Sequence, residues 1–579
     1  MTNKDVAKIL EEIGNILDIK GENPFKAIAY YNAARKLEAI PESVETLVRE
    51  GRLGDIKGFG DALVRKVTEL VTTGKLEYYE KLKSSVPESV VGMLHIQGLG
   101  PKKISVLWKK LNITNIGELE YACRENRLLS LKGFGARTQE KILSGIELLK
   151  RFSKHHLLPE GEQTAEDILE FIRSSKIAGR AEVAGSIRRR KEIVKDVDIL
   201  VAVKNENREK LLEHLREYPE IEQTISTGEE KLSFIAKSGM QVDVRFIADD
   251  AWGPALLHFT GSREHNIRLR QLAKERNLKL NEYGLFSIDG KRVDSCNNEK
   301  CMYNQLGLPF IPPEMREDRG EVELALSGKA LPHLVELSDI KGLFHLHTNW
   351  SDGVDSIEEY VRVAIGLGYQ YIGISDHSKS AYYANGLTEE RVFAQWEEID
   401  NIQKKYPAIR IFKGIESDIL PDGSLDYSDD VLARFDFVLG SVHTRFNMTE
   451  TEATNRLINA LRNPYLTMLG HPTGRLLLAR EGYPVDTGAV IDEAAGLDKI
   501  IELNADPHRL DIDWRMLKYA REKGVLIAIN PDTHNLETIG LVRYGIYAAR
   551  KGWLEKDNIL NTRSADDVAR IFKSIRGKG

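Results

Sequence analysis

Cysteine is nearly absent from this chain. Three in 579 residues cannot build a disulfide framework, and such sparing use fits a reducing compartment. Cys296 and Cys301 could pair or share a metal, but no second ligand pair lies nearby, so ordinary thiols are the expectation. No apolar run approaches the length of a membrane span. Nor do residues 1–20 open as a signal peptide, since they alternate charge with apolar positions at helical spacing. A soluble, cytoplasmic protein with no membrane partner is the expectation. A basic excess is missing too: net charge is −6. Residues 341–579 hold the whole deficit, with 29 Lys+Arg against 35 Asp+Glu, while residues 1–340 balance at 53 against 53. Bulk charge therefore announces no nucleic acid. A local cluster, Lys102-Lys103 with Lys109-Lys110, reads equally as a solvated helix face or a DNA-facing patch. The chain is too long for one core, and roughly three to five domains are expected.

What is present is chemically pointed. The stretch AEVAGSIRRRKEIVKDVDILVAV places Asp196 and Asp198 on one face of a strand, with Val197, Ile199 and Val201 on the other. A third acid, Asp243, lies in a later strand-like run, QVDVRFI. Three carboxylates held close repel one another unless divalent cations sit between them. Two such ions can hold the attacking and leaving oxygens of an in-line phosphoryl displacement. Gly185-Ser186 opens a turn where backbone N–H groups can approach a triphosphate, and Arg188, Arg189 and Arg190 add charge beside it. A DxD pair alone would more often be an exposed strand end; the upstream GS and the downstream VDV favour catalysis.

Nearer the front one pattern recurs three times: Ile56-Lys57-Gly58-Phe59-Gly60, Ile96-Gln97-Gly98-Leu99-Gly100 and Leu131-Lys132-Gly133-Phe134-Gly135. Each opens a helix. Such glycines permit a tight turn whose N–H groups face outward at a helix start, an arrangement that grips a nucleic-acid phosphate without reading bases. A single copy would be plain helix punctuation; three copies with matching apolar flanks predict DNA binding.

The last 240 residues or so carry a second chemistry. Strand-like runs end in LFHLHTNWSDG, YIGISDHS, IFKGIESDI, FDFVLGSVH, YLTMLGHP and VLIAINPDTH, and one further run, KIIELNA, ends without histidine. Helical stretches lie between them. Strands alternating with helices, with polar residues at the strand ends, predict a distorted β/α barrel with its site on that face. The ligand set is His345, His347, Asp352, His377, Glu416, His443, His471, Asp532 and His534. Imidazole and carboxylate together suit Mn, Zn or Fe, and nine ligands are too many for one ion, so a cluster of two or three follows. Any one of these histidines alone would be read as a satisfied core residue; so many at strand ends would not.

The order of helix-hairpin-helix, GSIRRR, DVD, VDVRF and HFTGSREHN (258–266) resembles family X DNA polymerases over residues 1–316. The resemblance implies that Asp196, Asp198 and Asp243 hold two Mg²⁺ ions and that Gly185, Ser186 and Arg189 hold the incoming nucleotide's phosphates. It implies that the segment from Phe259 and Gly261 to Asn266 forms the wall against sugar and base, and that Arg270 touches the template strand. The family commonly has Tyr-Phe before Thr-Gly; this chain has His258-Phe259, a change at the turn that excludes a ribose 2′-OH. Residues 1–82 are similar to the small domain that binds a gapped 5′ end, and Lys66 falls where lyase members keep a Schiff-base lysine. Such a lysine needs a depressed pKa, for which Arg65 and Lys75 are the local cations. Residues 341–579 resemble the PHP (polymerase and histidinol phosphatase) domain. That implies a trinuclear cluster, with Mn²⁺ or Zn²⁺, acting as a 3′→5′ exonuclease or 3′-end phosphodiesterase. Arg475 and Arg509 are candidate phosphate contacts on barrel loops.

The expected architecture is therefore multidomain α/β. A helix-hairpin-helix, lyase-like domain spans 1–83 and a second helix-hairpin-helix subdomain 84–148. The palm, with a mixed β-sheet, covers 149–250, the thumb 251–318, a linker 319–340 and the PHP barrel 341–579. The expected function is gap-filling, template-directed repair synthesis by a monomer acting on gapped or primer–template DNA with dNTPs, joined to a 3′ nuclease. One alternative is a PHP phosphoesterase whose front half delivers DNA with an inactive transferase centre; another is a non-catalytic DNA-end scaffold.

Overall fold

Capping decides where the first helix begins. Thr2 accepts the Asp5 N–H at 3.2 Å while Asp5 accepts the Thr2 N–H at 2.9 Å, and Gly21, at φ +66°, ends the helix Asn3–Lys20. Val6, Leu10, Ile13 and Leu17 follow at helical spacing and are buried. In the computed structural model, which describes residues 1–40, 42–96, 99–150 and 155–576, the chain divides into two compact units, Met1–Leu149 and Lys150–Gly579. The first is all helical among its described residues. One apolar cluster runs from Val6 to Ile146, and Asn3–Lys20 packs on Pro101–Leu111, so the two hairpin-bearing halves share a core.

The repeated turns have one geometry. The N–H groups of Phe59, Leu99 and Phe134 donate to the carbonyls of Ile56, Ile96 and Leu131 at 2.9, 3.1 and 3.0 Å. Gly58 and Gly133 sit third in their turns at φ +98° and +93°, the position where such a turn demands glycine. Gly98 and Gln97, in the middle copy, lie outside the described residues. Helices then begin at Asp61, Pro101 and Ala136.

In the second unit a five-stranded mixed sheet comes first: β1 (Arg180–Val183), β2 (Asp196–Ala202), β3 (Ile221–Thr227), β4 (Lys231–Ala236) and β5 (Gln241–Ile247), in the order β1-β2-β5-β4-β3. β2 and β5 run parallel; the other neighbours are antiparallel. Val197, Ile199 and Val201 alternate into a core shared with Val242, Val244 and helix Leu158–Ser174. On the other face Leu200 and Ala202 cluster with Trp252, Ala255 and Leu256, and Asp196 and Asp198 stay part-exposed. Helices Trp252–Thr260, Arg263–Glu275 and Glu299–Gln305 follow.

Contrary to the expectation of ordinary thiols, Cys296 and Cys301 are joined as a disulfide, with Cα atoms 5.4 Å apart. Asp294 accepts the Cys296 N–H and Asn298 caps the next helix through the Cys301 N–H, folding the short loop so that the two side chains meet. Cys123 is buried, and burial pushes its thiol up to about 12.

Seven parallel strands complete the unit: β6 (Gly342–Leu346), β7 (Tyr371–Ile374), β8 (Arg410–Asp418), β9 (Phe437–Ser441), β10 (Met468–Leu469), β11 (Ile500–Asn504) and β12 (Ile527–Asn530). Their spatial order is their sequence order, and a bridge from Leu346 to Thr533 brings the last beside the first in a nearly closed barrel. An aromatic cluster of Phe344, Tyr371, Phe412, Phe437 and Phe572 fills the barrel toward the strands' amino ends. Polar chemistry is left to the carboxyl ends. No helix among the described residues is long and apolar enough to cross a membrane.

Candidate active sites

Strand register builds the acidic centre. In the parallel pairing of β2 and β5, Asp198 stands opposite Asp243 and Asp196 opposite Gln241. Gly185 passes at φ +59° so close that a Cβ there would lie 2.3 Å from Asp198 Oδ2; no other residue fits. Burial, then Asp196 and Asp243, push Asp198 up to about 6, and burial followed by Asp243 raises Asp196. Asp243 moves the other way. Burial opposes its ionisation, but the Lys231 ammonium at 2.8 Å more than offsets this and holds it below the usual range. Two carboxyls held up by their neighbours are what a divalent cation would relieve, so this donor set fits one. The Ser186 Oγ, one residue beyond Gly185, is buried without a hydrogen-bond partner.

Around this triad the expected nucleotide residues converge. Arg189 donates through Nε to Glu317 at 3.2 Å and through Nη1 to the Thr260 carbonyl, and a Cβ on Gly261 would stand 3.0 Å from that Nη1. Phe259 is half-buried, with the Arg245 guanidinium 4.4 Å from its ring centre. Asn266 donates to the His258 carbonyl at 2.6 Å, fixing the turn between them. Arg270 is exposed on the helix Arg263–Glu275. The other two arginines of the turn are structural. Arg188 grips both oxygens of Glu299, at 2.9 and 2.6 Å, and Arg190 pairs with Glu162. Lys231 and Arg245 escaped the sequence reading, although both alternate toward the triad on strands beside it.

The second centre gathers all nine expected ligands at the carboxyl ends of the barrel strands. Four groups of them bring one donor atom each to within 4.8 Å of one another: His347/Asp352/His377/His534, His345/His471/Asp532, His345/His347/Glu416 and His377/Glu416/His443. Glu416 is central, with His345, His377, His443 and His471 nitrogens 2.9–3.3 Å from its oxygens. Burial opposes ionisation of Asp352, Glu416 and Asp532, yet the surrounding imidazoles hold all three well below the usual carboxylate range. His345 Nε2, both nitrogens of His347, Asp352 Oδ2 and Glu416 Oε2 are buried with no hydrogen-bond partner. Orphaned donor atoms buried close to one another fit a cluster of ions.

A supporting layer was missed by the sequence reading. Glu502, on the one run without a histidine, accepts from His345 Nδ1 at 2.6 Å and from the His471 N–H at 2.8 Å. Asp418 meets His443 Nδ1 at 2.6 Å, and Asn504 donates to Asp532 Oδ2 at 2.9 Å. Such partners fix which imidazole nitrogen faces the ions. The only sequence signal was a carboxylate inside an otherwise apolar strand. Of the two candidate arginines, Arg475 is tied to Asp513 and to the Arg509 and Leu510 carbonyls, whereas Arg509 Nε approaches Asp532 Oδ2 at 3.6 Å.

In the first unit, nothing stands within 4 Å of where a side chain would begin at Gly60, Gly100, Gly133 or Gly135, while Gly58 faces the Lys36 ammonium. Lys66 is half-buried against two tyrosines: its Nζ meets the Tyr30 hydroxyl and lies 3.5 Å from the Tyr78 ring centre. Burial, then the charge of Lys26, lower its pKa. The neighbouring cation is thus Lys26 and not the expected Arg65 or Lys75; Lys26 lies over the same Tyr78 ring, and Arg65 bonds to the Asp61 carbonyl.

Comparison with known proteins matches several of these domains. Family profiles match a helix-hairpin-helix domain at residues 1–76, a SAM-like helix-hairpin-helix tandem at 91–147, a DNA polymerase beta thumb at 255–317 and a PHP domain at 344–506. A Bacillus subtilis protein named DNA polymerase/3′-5′ exonuclease PolX is 39% identical over 579 residues, covering 99% of this chain and 100% of its own. A probable phosphatase of Thermoanaerobacter is 27% identical over 245 residues, 40% of this chain and 94% of its own, and one of Caldicellulosiruptor saccharolyticus is 30% identical over 206, 33% and 78%. With likeness along its whole length to a polymerase–exonuclease and over its barrel alone to phosphatases, the chain belongs to the family X DNA polymerases that carry a C-terminal PHP domain.

Proposed function

We propose that this enzyme fills gaps in damaged DNA at the Asp196/Asp198/Asp243 centre and trims 3′ ends at the nine-residue barrel centre. It is a DNA-directed DNA polymerase and a 3′-5′ exonuclease in one chain. The observation that carries the reading is register: Asp198 faces Asp243 across paired strands, beside a glycine that only Asp198 crowds and a buried, unpartnered serine hydroxyl. Bound divalent ions, Mg²⁺ in the acidic centre and Mn²⁺ or Zn²⁺ in the barrel, would neutralise charge developing on the phosphoryl oxygens. The chain's own residues do the rest. Lys231 keeps Asp243 ionised, Ser186 Oγ donates to a phosphate oxygen, and Arg189 supplies charge to the triphosphate. Phe259, Gly261 and Asn266 line the sugar and base, and Arg270 reaches the template. The hairpin glycines hold gapped or primer–template DNA by its phosphates.

The domain assignment of 1–83 and 84–148 for DNA binding, 149–250 and 251–318 for synthesis, and 341–579 for 3′ cleavage follows from this reading, with the enzyme acting as a cytoplasmic monomer on DNA and dNTPs. Lys66, its pKa lowered by burial and Lys26, would form a Schiff base with a 5′ sugar aldehyde. The decisive test is extension of a primer across a one-nucleotide gap with Mg²⁺ and single dNTPs. Templated insertion supports the reading; none, with intact 3′ digestion, would leave only a phosphoesterase with a DNA-delivering front half.

A further inference from the structure

The turn that carries Gly185, Ser186 and Arg189 is braced from behind by the barrel. Lys551, 2% exposed at the end of the barrel helix Val542–Lys551, donates to the Arg189 carbonyl at 2.9 Å and to Glu317 Oε1 at 2.8 Å. That same oxygen takes Arg189 Nε at 3.2 Å. Three residues along, Glu192 receives the Trp514 indole N–H at 3.1 Å on both oxygens and Arg515 at 3.0 Å. Arg190 lies 4.2 Å from the Tyr547 ring centre, and Arg550 bonds Glu314 at 2.8 Å. Glutamates 192, 314 and 317 of the polymerase part thus meet Arg515, Arg550 and Lys551 of the barrel, pair against pair.

We propose that the PHP barrel is a working part of the nucleotide-binding site, with Lys551 as the positioning residue that holds Arg189 toward the incoming triphosphate. The inference rests on Arg189 binding that triphosphate. Its physical content is a count of charges. Glu317 bonds two cations, Arg189 and Lys551, so this bonded cluster carries one net positive charge beside the turn where the phosphates would arrive. Without Lys551 the Arg189–Glu317 pair closes on itself as a neutral unit, and the Arg189 carbonyl loses its anchor inside a buried interface. A charge-retaining replacement keeps the balance.

The test compares full-length variants in single-nucleotide gap filling against dNTP concentration. Lys551→Met should raise the KM for dNTP on the order of tenfold, as expected of a coupled site, with a smaller change in kcat. Lys551→Arg should restore most of the affinity, and digestion of a single-stranded 3′ end should be unchanged in both. Trp514→Phe, which removes the N–H to Glu192 and trims the ring whose centre lies 4.7 Å from Lys551 Nζ, should move KM in the same direction by less and covers the case in which Lys551→Met does not fold. An unchanged KM in folded Lys551→Met that retains nuclease activity overturns the proposal, as does an equal fall of both activities. Arg189→Ala separates the two levels. If it raises KM while Lys551→Met does not, the buttress alone fails; if Arg189→Ala leaves KM unchanged, the triphosphate reading of the turn fails and the proposal with it.

Discussion

The acidic centre and the imidazole centre are both clusters of charged side chains, but their surroundings shift Asp196 and Asp198 and the barrel carboxylates in opposite directions. Asp196 and Asp198 are part-exposed and pushed up, Asp198 by burial, Asp196 and Asp243, and Asp196 by burial and Asp243, while Asp243 has the Lys231 ammonium at 2.8 Å to steady it. In the barrel, His345 and His347 are fully buried, and the carboxylates among them are driven down, not up. Carboxylate oxygens alone bind Mg²⁺ loosely and leave positions for water and substrate phosphates. Imidazoles with carboxylates bind Mn, Zn or Fe far more firmly. On the function proposed above, the first centre would be completed by a substrate that brings a metal on its triphosphate, whereas the second would hold a resident cluster.

The largest effects should separate the two centres cleanly. Asp198→Asn should lower gap filling by about 10²–10³-fold or more while leaving 3′ digestion intact. His347→Ala should do the reverse. If either substitution abolished both activities, the two pockets could not be independent. Metal analysis sharpens the same contrast: protein dialysed against buffer should keep transition metal in the wild type and in Asp198→Asn, but lose much of it in His347→Ala. Equal retention in all three would contradict a resident cluster at the barrel.

How far the sequence foretold this depends on the range of the interaction. Asp196, Asp198 and their apolar alternates were readable because strand periodicity is local, and the nine barrel ligands were readable because they fall within or just after six apolar runs. The three hairpin turns were legible for the same reason. Glu502 was not, because its partners His345 and His471 come from other strands and its own run looks like plain core. Lys231 became visible only through the β4–β5 register, and Lys26 only once Tyr78 was seen to stand between it and Lys66. The Cys296–Cys301 pairing needed the Asp294 and Asn298 turns that fold their loop. Residues that act alone at their positions could be read; residues that act by touching another element could not.

A smaller effect tests the supporting layer. Glu502→Gln keeps the shape but removes the charge that orients His345, and should weaken metal retention or 3′ digestion by about 10–100-fold without touching gap filling. The matching change beside the acidic triad, Lys231→Met, should cost gap filling less, because that centre is finished by ions the nucleotide delivers. Should Lys231→Met prove the more damaging of the two, the distinction between a substrate-completed and a resident centre would have to be abandoned.

The smallest effect carries the electrostatic contrast into the first unit, where the group of interest is a cation. Lys66 must lose its proton to attack an aldehyde. Burial and Lys26 both disfavour the charged form, so its neutral amine forms at lower pH than that of a free lysine. Borohydride trapping of a 5′-deoxyribose phosphate end should therefore rise with pH through a midpoint below the ordinary lysine range. Lys26→Ala removes a repelling charge, favours protonated Lys66, and should move that midpoint upward. Lys66 also touches Tyr30 and Tyr78, and these supply much of the burial, so the shift from Lys26 alone should be only part of the whole. A midpoint that stays put in Lys26→Ala would leave burial as the sole cause, and trapping that survives Lys66→Ala would assign the chemistry to a different amine.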